Sequence, residues 1–331
     1  MKLDSLKKVK KYLIIEGLVH FEDAVQVVHL PGGVSCRVWK ITRNNDQWVL
    51  KQALEKLDVE ADWFSDVKRI HREHDVMHQI ERVIPDSNIP KILHVDYKNH
   101  VYMMSFVKDA CDTWKSQLMQ GIIDVETAGF AASLLRQIHA LSYKIDEKHQ
   151  NEFKNQDYFI QLRIEAFHRF LIQKYPELQA DINKLIDELT LEKTCLVHGD
   201  FSPKNMLVKV SGEIVLLDFE VAHWGNPVFD VAYCIGHLML KAWYLNKTDE
   251  IFNLICSFLN SYGKGIKNLI PHLGLMLLAR MDGKSPVNYI QDPKLKDKIR
   301  LIGMDWIRNG TEVEDLIEEI RMKLQLIRQD Q

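Results

Sequence analysis

Residues 195–207 read "CLVHGDFSPKNML". Two apolar runs flank a polar segment, His198 to Asn205, that gathers a His, an Asp, a Pro and an Asn. The apolar runs predict two short buried strands, and Gly199 and Pro203 predict a turn between them. A little further on, "EIVLLDFE" places four apolar residues directly before Asp218, thirteen residues past Asn205. A polar turn between buried strands has two readings. The residues serve turn geometry alone, or the strands exist to hold them.

Composition narrows the setting. The chain has 331 residues, 46% of them hydrophobic and 27% charged, which suits a folded protein of two ordinary domains. The net charge of -3 gives no general affinity for nucleic acid or an anionic membrane. The basic start, "MKLDSLKKVKKYLIIEGLVHF", lacks the apolar core of a signal peptide, and no run approaches the roughly 20 apolar residues that span a bilayer. The five cysteines, at 36, 111, 195, 234 and 256, form no C-x-x-C pair and predict free thiols in a reducing compartment. The expectation is a cytoplasmic monomer or homodimer with no nucleic-acid or membrane partner.

Outward from the opening stretch, the texture changes once. Apolar spacing over 3–15 predicts a helix. "VQVVHL", "VSCRVWKIT" and "QWVLKQA" predict three antiparallel strands joined at "PGG" and "RNND". A helix follows over 66–82, then two strands in "KILHVDY" and "VYMMSFV". Beyond "KDACDTW" the periodicity is helical at 124–142, 157–174, 178–190, 230–245, 249–262, 268–280, 293–308 and 312–328. No repeat or low-complexity segment interrupts it. The predicted fold is α+β. It has a five-stranded antiparallel N-terminal lobe with one inserted helix (1–105) and a larger, mostly helical C-terminal lobe (106–331).

His198-x-Asp200-x-x-x-x-Asn205 has the spacing of the catalytic loop of kinases. The chemistry explains the residue types. Phosphoryl transfer needs an acceptor oxygen held in line and a cation on the phosphates, and a hard cation prefers oxygen ligands. Asp200 is the candidate base, and Asn205 and Asp218 are the candidate Mg²⁺ ligands. Asp218-Phe219 begins like the D-F-G signature, but position 220 is Glu. Gly32, Gly33 and Ser35 lie in a strand-turn-strand loop suited to phosphates. Lys51 sits on the third strand and Glu73 on the following helix, the pair that fixes a lysine on the α/β-phosphates. Backbone groups near Ser105 and Val107 are the candidate adenine contacts, which leaves ATP or GTP open. Each signal alone has a bland reading as a turn, a solvated lysine or a structural aspartate. Their order, each on the required element, favours the site. Only eleven residues separate Asp218 from Asp230, too few for the segment that docks a peptide, so the acceptor is a small molecule.

The chain resembles the aminoglycoside phosphotransferase and choline kinase group, which shares the protein-kinase-like fold. The matching stretches are "GGVS", Lys51, Glu73, "LVHGDFSPKNML", "VLLDFE" and "GNPVFDVAY", and the likeness runs from about 25 to 310. Within the group, "VLKQAL", "WFSDVKRIHRE" and "DFEVAHWGNPVFDVA" look most like methylthioribose kinase and its relatives. The resemblance implies ATP and Mg²⁺ as cofactors and a sugar or thiosugar hydroxyl as acceptor. Aminoglycosides, choline-type amino alcohols and a catalytically silent nucleotide-binding role are the alternatives. It also implies that His198 and Asp230 support the catalytic loop. Glu220, Trp224, Arg280 and Asp282 are candidate acceptor contacts. Trp243 and Tyr244 suit either the core or a cationic acceptor. His71, His74 and His78 suggest a distorted zinc motif, but a solvated helix face accounts for them better.

Overall fold

The computed structural model describes all residues except 32–34, 59–62, 86, 264–265, 313–314 and 329–331. Contacts divide the chain into two compact units, Met1–Asp109 and Ala110–Gln331.

In the first unit, α1 (Leu6–Ile15) precedes β1 (Val25–Leu30), β2 (Cys36–Arg43) and β3 (Asp46–Ala53). Then come α2 (Arg69–Val83), β4 (Ile92–Asp96) and β5 (Val101–Ser105). The sheet is antiparallel in the order β1-β2-β3-β5-β4, so β3 is central and its residues Val49–Ala53 are all buried. Alternation along the strand separates its two faces. Leu50 joins Trp39, Ile41, Val101 and Met103 in a core that includes Val9, Tyr12 and Leu13 of α1. Lys51, one residue on, therefore points to the opposite face. It stands across from Val38 on β2 and Tyr102 on β5. On α2, Ile70, Glu73, Val76, Met77 and Ile80 are buried at helical spacing. That stripe is apolar except for Glu73.

The second unit begins with β6 (Ala110–Thr113), α3 (Trp114–Met119), α4 (Val125–Leu141) and α5 (Glu147–Phe153). A continuous helical run follows: α6 (Asp157–Phe159), a π-helical stretch (Ile160–Arg169) and α7 (Phe170–Lys174). After α8 (Gln179–Leu191) come β7 (Cys195–Val197), β8 (Met206–Lys209), β9 (Ile214–Leu216) and β10 (His223–Gly225). The helices α9 (Val228–Leu245), α10 (Thr248–Tyr262), α11 (Leu269–Asp282), α12 (Pro293–Asn309) and α13 (Leu316–Arg328) complete it. The strands form a β6-β8-β9 sheet and a β7-β10 ribbon. Val228 through Trp243 of α9 are all buried, with α10, α11 and α13 packed on that helix.

The five-stranded sheet and the helical second unit agree with the α+β expectation. Sequence patterning missed β6, α3, α5 and β10, each of seven residues or fewer. Elements that short carry less than two turns or two alternations, so periodicity has little to register. Among the described residues no helix is long and apolar enough to cross a membrane. Cys195, Cys234 and Cys256 are free thiols.

Candidate active site

The opening stretch forms the turn between β7 and β8, and its backbone is bolted from behind. Gly199 has φ +78, and a Cβ there would lie 2.8 Å from the Val221 carbonyl oxygen, so only glycine fits. Asp230, in the first turn of α9, is fully buried and accepts the His198 N–H at 2.7 Å and the Gly199 N–H at 2.8 Å. His139 of α4 lies 3.1 Å from the same carboxylate through Nε2, and the Tyr262 hydroxyl of α10 lies 2.9 Å from its Nδ1. Burial opposes the ionised form of Asp230, yet His139 and His198 hold its pKa below the usual carboxylate range. The His198 ring spans the loop. Its Nδ1 accepts the Asp200 N–H at 3.1 Å and its Nε2 lies 3.0 Å from the Leu217 carbonyl, one residue before Asp218. Burial pushes the His198 pKa down, consistent with a neutral ring donating once and accepting once.

Asp200 is 2% exposed. Its Oδ2 is crowded, with Asn205 Nδ2 at 2.8 Å, Lys204 Nζ at 2.9 Å and Arg163 Nη2 at 3.1 Å. Its Oδ1 is buried and has no partner among the described residues. Burial resists ionisation, but Arg163 and Lys204 override it and hold the carboxyl far below its ordinary range. Asn205 also donates to the Asp200 carbonyl at 2.9 Å, which commits its Nδ2 and leaves the side-chain carbonyl as its ligating atom. Asp218 takes the left-handed conformation, φ 73, which turns the chain sharply after β9. Asp218, Asp200 and Glu220 all act on the Arg163 guanidinium, favouring its charged form against burial. The amide oxygen of Asn205 and the carboxylate of Asp218 are hard oxygen donors of the kind Mg²⁺ takes, so this donor set fits the ion.

Sequence reasoning did not single out Arg163, Lys204, His139 or Tyr262. Arg163 lies in the π-helical stretch, a backbone form that recurs at functional sites. Its Nε donates to the Gly199 carbonyl at 2.9 Å while Nη2 reaches Asp200, so one side chain fixes both turn and carboxylate. Nothing in the spacing of a helix 37 residues upstream announces that reach. Lys204 had one available signal, its i,i+4 position relative to Asp200.

In the first unit, Lys51 Nζ donates to both Glu73 oxygens, at 2.7 and 2.9 Å, with both side chains nearly excluded from water. This is the pairing that the strand lysine and helix glutamate predicted. Gly32 and Gly33 lie outside the described residues. Ser35, just after them, is buried, and its carbonyl accepts from Arg69 Nη2 at 2.5 Å. Arg69, wholly buried at the start of α2, also donates to the carbonyls of Leu54 and Ser65 at 2.8 and 3.2 Å. It ties that loop's end to β3, and sequence reasoning missed it. Ser105 closes β5, with its N–H on the Lys91 carbonyl and its hydroxyl taking the Lys91 N–H, each at 2.9 Å. Val107 follows two residues later, partly exposed.

The candidate acceptor contacts divide. Glu220 is buried within the field of Arg163. Arg280 is partly exposed at the end of α11, and its Nε is buried without a partner. Trp224 is 6% exposed and laddered to Leu196 in the β7-β10 ribbon, leaving little surface for an acceptor. Asp282 is engaged by Lys174, by the Tyr175 hydroxyl at 2.6 Å and by Arg300 at 2.8 and 2.9 Å, so the fold uses both its oxygens. Trp243 is buried, and Tyr244 packs edge-on against Tyr289 at 5.0 Å. His71 lies 3.2 Å from His74 and 3.0 Å from His100, and burial lowers its pKa to about 4.

With this geometry in place, the comparisons are decisive at one level. The profile of the phosphotransferase enzyme family matches residues 26–253, more than half the chain. The chain belongs to the phosphotransferase enzyme family. A search of curated proteins finds no match. Among solved structures, a macrolide 2'-phosphotransferase from Brachybacterium faecium is similar at TM-score 0.54 and 14% identity, covering 96% of this chain and 98% of that one. An ethanolamine kinase from Plasmodium vivax gives TM-score 0.53 at 14% identity, over 98% and 89%. A spectinomycin phosphotransferase solved with ADP and spectinomycin gives 0.52 at 14%, over 98% and 99%. At such identities the likeness shows the fold alone. This phosphotransferase has the protein-kinase-like architecture of those enzymes.

Proposed function

We propose that this phosphotransferase is a small-molecule kinase that moves the γ-phosphate of ATP to a hydroxyl group in a Mg²⁺-dependent reaction. The observation that carries the reading is the divided carboxylate of Asp200. Oδ2 is held by an amide and two cations, and Oδ1 is buried, ionised and unpartnered. A buried acceptor atom without a donor is costly, and an incoming hydroxyl would supply one.

In this reading Oδ1 accepts the acceptor's O–H, orients its lone pair and takes its proton as the bond to phosphorus forms. The low pKa makes Asp200 a weak base, so orientation is its main contribution. That suits a loose transition state in which proton transfer comes late. Lys204 and Arg163 place positive charge beside the reacting oxygen. Asn205 and Asp218 would hold Mg²⁺, which would supply positive charge against the phosphates. Lys51, fixed by Glu73, is the candidate contact for the α/β-phosphates. The sequence resemblance favours a sugar or thiosugar acceptor.

The test is ADP release in a coupled assay over sugars, sugar derivatives, amino alcohols and aminoglycosides, with Asp200→Ala as control. Turnover by the native chain, lost in a variant that still binds ATP, supports the reading. Equal loss of ATP binding and turnover in a folded variant removes the role given to Asp200.

A further inference from the structure

The face of α9 that starts near the catalytic loop continues away from it as a line of polar groups. Tyr233, His237 and Lys241 recur every fourth residue, so they share one side of the helix. Tyr233 acts on the charges of Arg163 and Lys204, which places that end of the line beside Asp200. Its ring stands edge-on to His237 at 4.9 Å. His237 in turn feels Lys241, Arg280, Asp200 and Lys204 together.

The far end is a cluster of cations without counter-ions. Lys241 is 1% exposed, and its Nζ has one hydrogen bond, to the His237 carbonyl at 3.1 Å. It lies 5.7 Å from the Tyr289 ring centroid. Arg280 stands over the Phe167 ring at 5.6 Å, and among the described residues its buried Nε and the buried Tyr289 hydroxyl have no partner. Lys115, exposed on α3, adds its charge to the field at Lys241 from the solvent side. The charges oppose one another. Burial, Lys115 and Arg280 drive Lys241 down to about 7, while burial, Lys204 and Arg280 lower Lys115. Among the described residues no carboxylate makes an ion pair with Lys115, Lys241 or Arg280. The carboxylate closest in sequence, Asp282, is taken by Lys174, Tyr175 and Arg300.

Burying an ammonium beside a guanidinium with no anion is unfavourable, and one carbonyl and one ring face offset that cost only in part. Lys241, Arg280 and Tyr289 instead supply three kinds of donor suited to the oxygens of one anion. We infer that the acceptor is anionic, a hydroxyl compound whose carboxylate or phosphate group is bound by Lys241, Arg280 and Tyr289, with Lys115 adding charge. This rests on the kinase reading and sharpens it. Tyr233 and Lys241 are eight residues apart on α9, a rise of about 12 Å, so the anion end of the line is set apart from the catalytic loop along the helix. Acceptors that carry their own positive charge, such as aminoglycosides and choline, would meet repulsion here.

The experiment uses the full chain and one carbon frame with four charges: glucose, gluconate, glucose 6-phosphate and glucosamine, compared by ADP release. Gluconate or glucose 6-phosphate should have a KM at least ten-fold below glucose, with glucosamine poorest. Lys241→Met and Arg280→Met should each raise that KM about ten- to 100-fold while ATP affinity stays within two-fold. A second arm needs no turnover. With Mg²⁺ and a non-hydrolysable ATP analogue saturating, millimolar malonate or inorganic phosphate should raise the melting temperature of the native chain but not of the double variant, and whichever acts more strongly identifies the anion. Preference for glucose or glucosamine, or an equal thermal response in native and variant chains, overturns the inference and leaves the kinase reading intact. Failure of the kinase reading shows differently, as no ADP release with any acceptor while the anion response is retained.

Discussion

Two buried aspartates in the second unit, Asp200 in the turn after β7 and Asp230 at the start of α9, are alike in exposure and opposite in bonding. Asp230 is closed, with one oxygen on the Gly199 N–H and the other shared by the His198 N–H and His139. Asp200 is half closed, with its Oδ2 holding three donors and its Oδ1 none. A carboxylate with donors on both oxygens holds structure. One that is fixed by half and free by half is rigid and still able to react. The first unit repeats the closed type in Lys51 and Glu73, where the lysine lies between both oxygens. Burial alone does not mark a reactive group; at Asp200 the unspent oxygen sets it apart from Asp230.

The largest effect expected from breaking this contrast is on turnover. Asp200→Asn keeps the shape and the Oδ position but removes the charge and the basic oxygen. ADP release should fall by about 10²–10⁴-fold, the range of positioned acid–base groups, while ATP affinity measured by calorimetry stays near native. Retained turnover would mean that the free oxygen is idle.

Asp230→Ala attacks the closed member. It strands the His198 and Gly199 N–H groups and the His139 ring inside the protein, and breaking a buried pair typically costs about 3–5 kcal/mol. Urea unfolding should show that loss, with turnover falling because the loop slackens. Full stability would show that α9 does not brace the turn. Gly199→Ala tests the same brace from the backbone side. Left-handed φ and the 2.8 Å approach to the Val221 carbonyl oxygen should cost about 2–4 kcal/mol, again read by unfolding.

The contrast between the two aspartates was only partly visible in the sequence. The strand alternation around Lys51, the stripe on α2 and the long helices of the second unit are all periodic, and periodicity survives in a one-dimensional string. The order of Lys51, Glu73, Asp200, Asn205 and Asp218 also survives, because each sits at a fixed offset on a regular element. What holds Asp200 does not. Arg163 arrives from a π-helical stretch, and His139 and Tyr262 reach Asp230 from α4 and α10. Those contacts are set by how helices cross, which no local pattern encodes. Asp282 shows the reverse case. A polar residue at the end of an apolar helix looks available in sequence, yet Lys174 and Tyr175 at the end of α7 and Arg300 of α12 fold onto it.

Lys241 carries the comparison to a cation, and its expected effect is the smallest. Burial, Lys115 and Arg280 lower its pKa from 10.5 to about 7, against a small opposing pull from Cys234. His237 on its own helix and Tyr289 beside it complete its titratable surroundings. The folded chain therefore releases this proton more easily than the unfolded chain. Below pH 7 both states hold the proton and the burial penalty is present in full. From pH 7 towards 10.5 only the unfolded state still binds it, so stability from this group rises with pH. Lys241→Met removes the penalty. In the absence of ligand the variant should be more stable than the native chain at pH 6, and the gap should narrow by about 3 kcal/mol by pH 9 in urea unfolding. A gap that stays constant with pH would mean that Lys241 titrates normally and needs no anion. A gap that closes on addition of malonate or phosphate would tie the penalty to the ligand that relieves it.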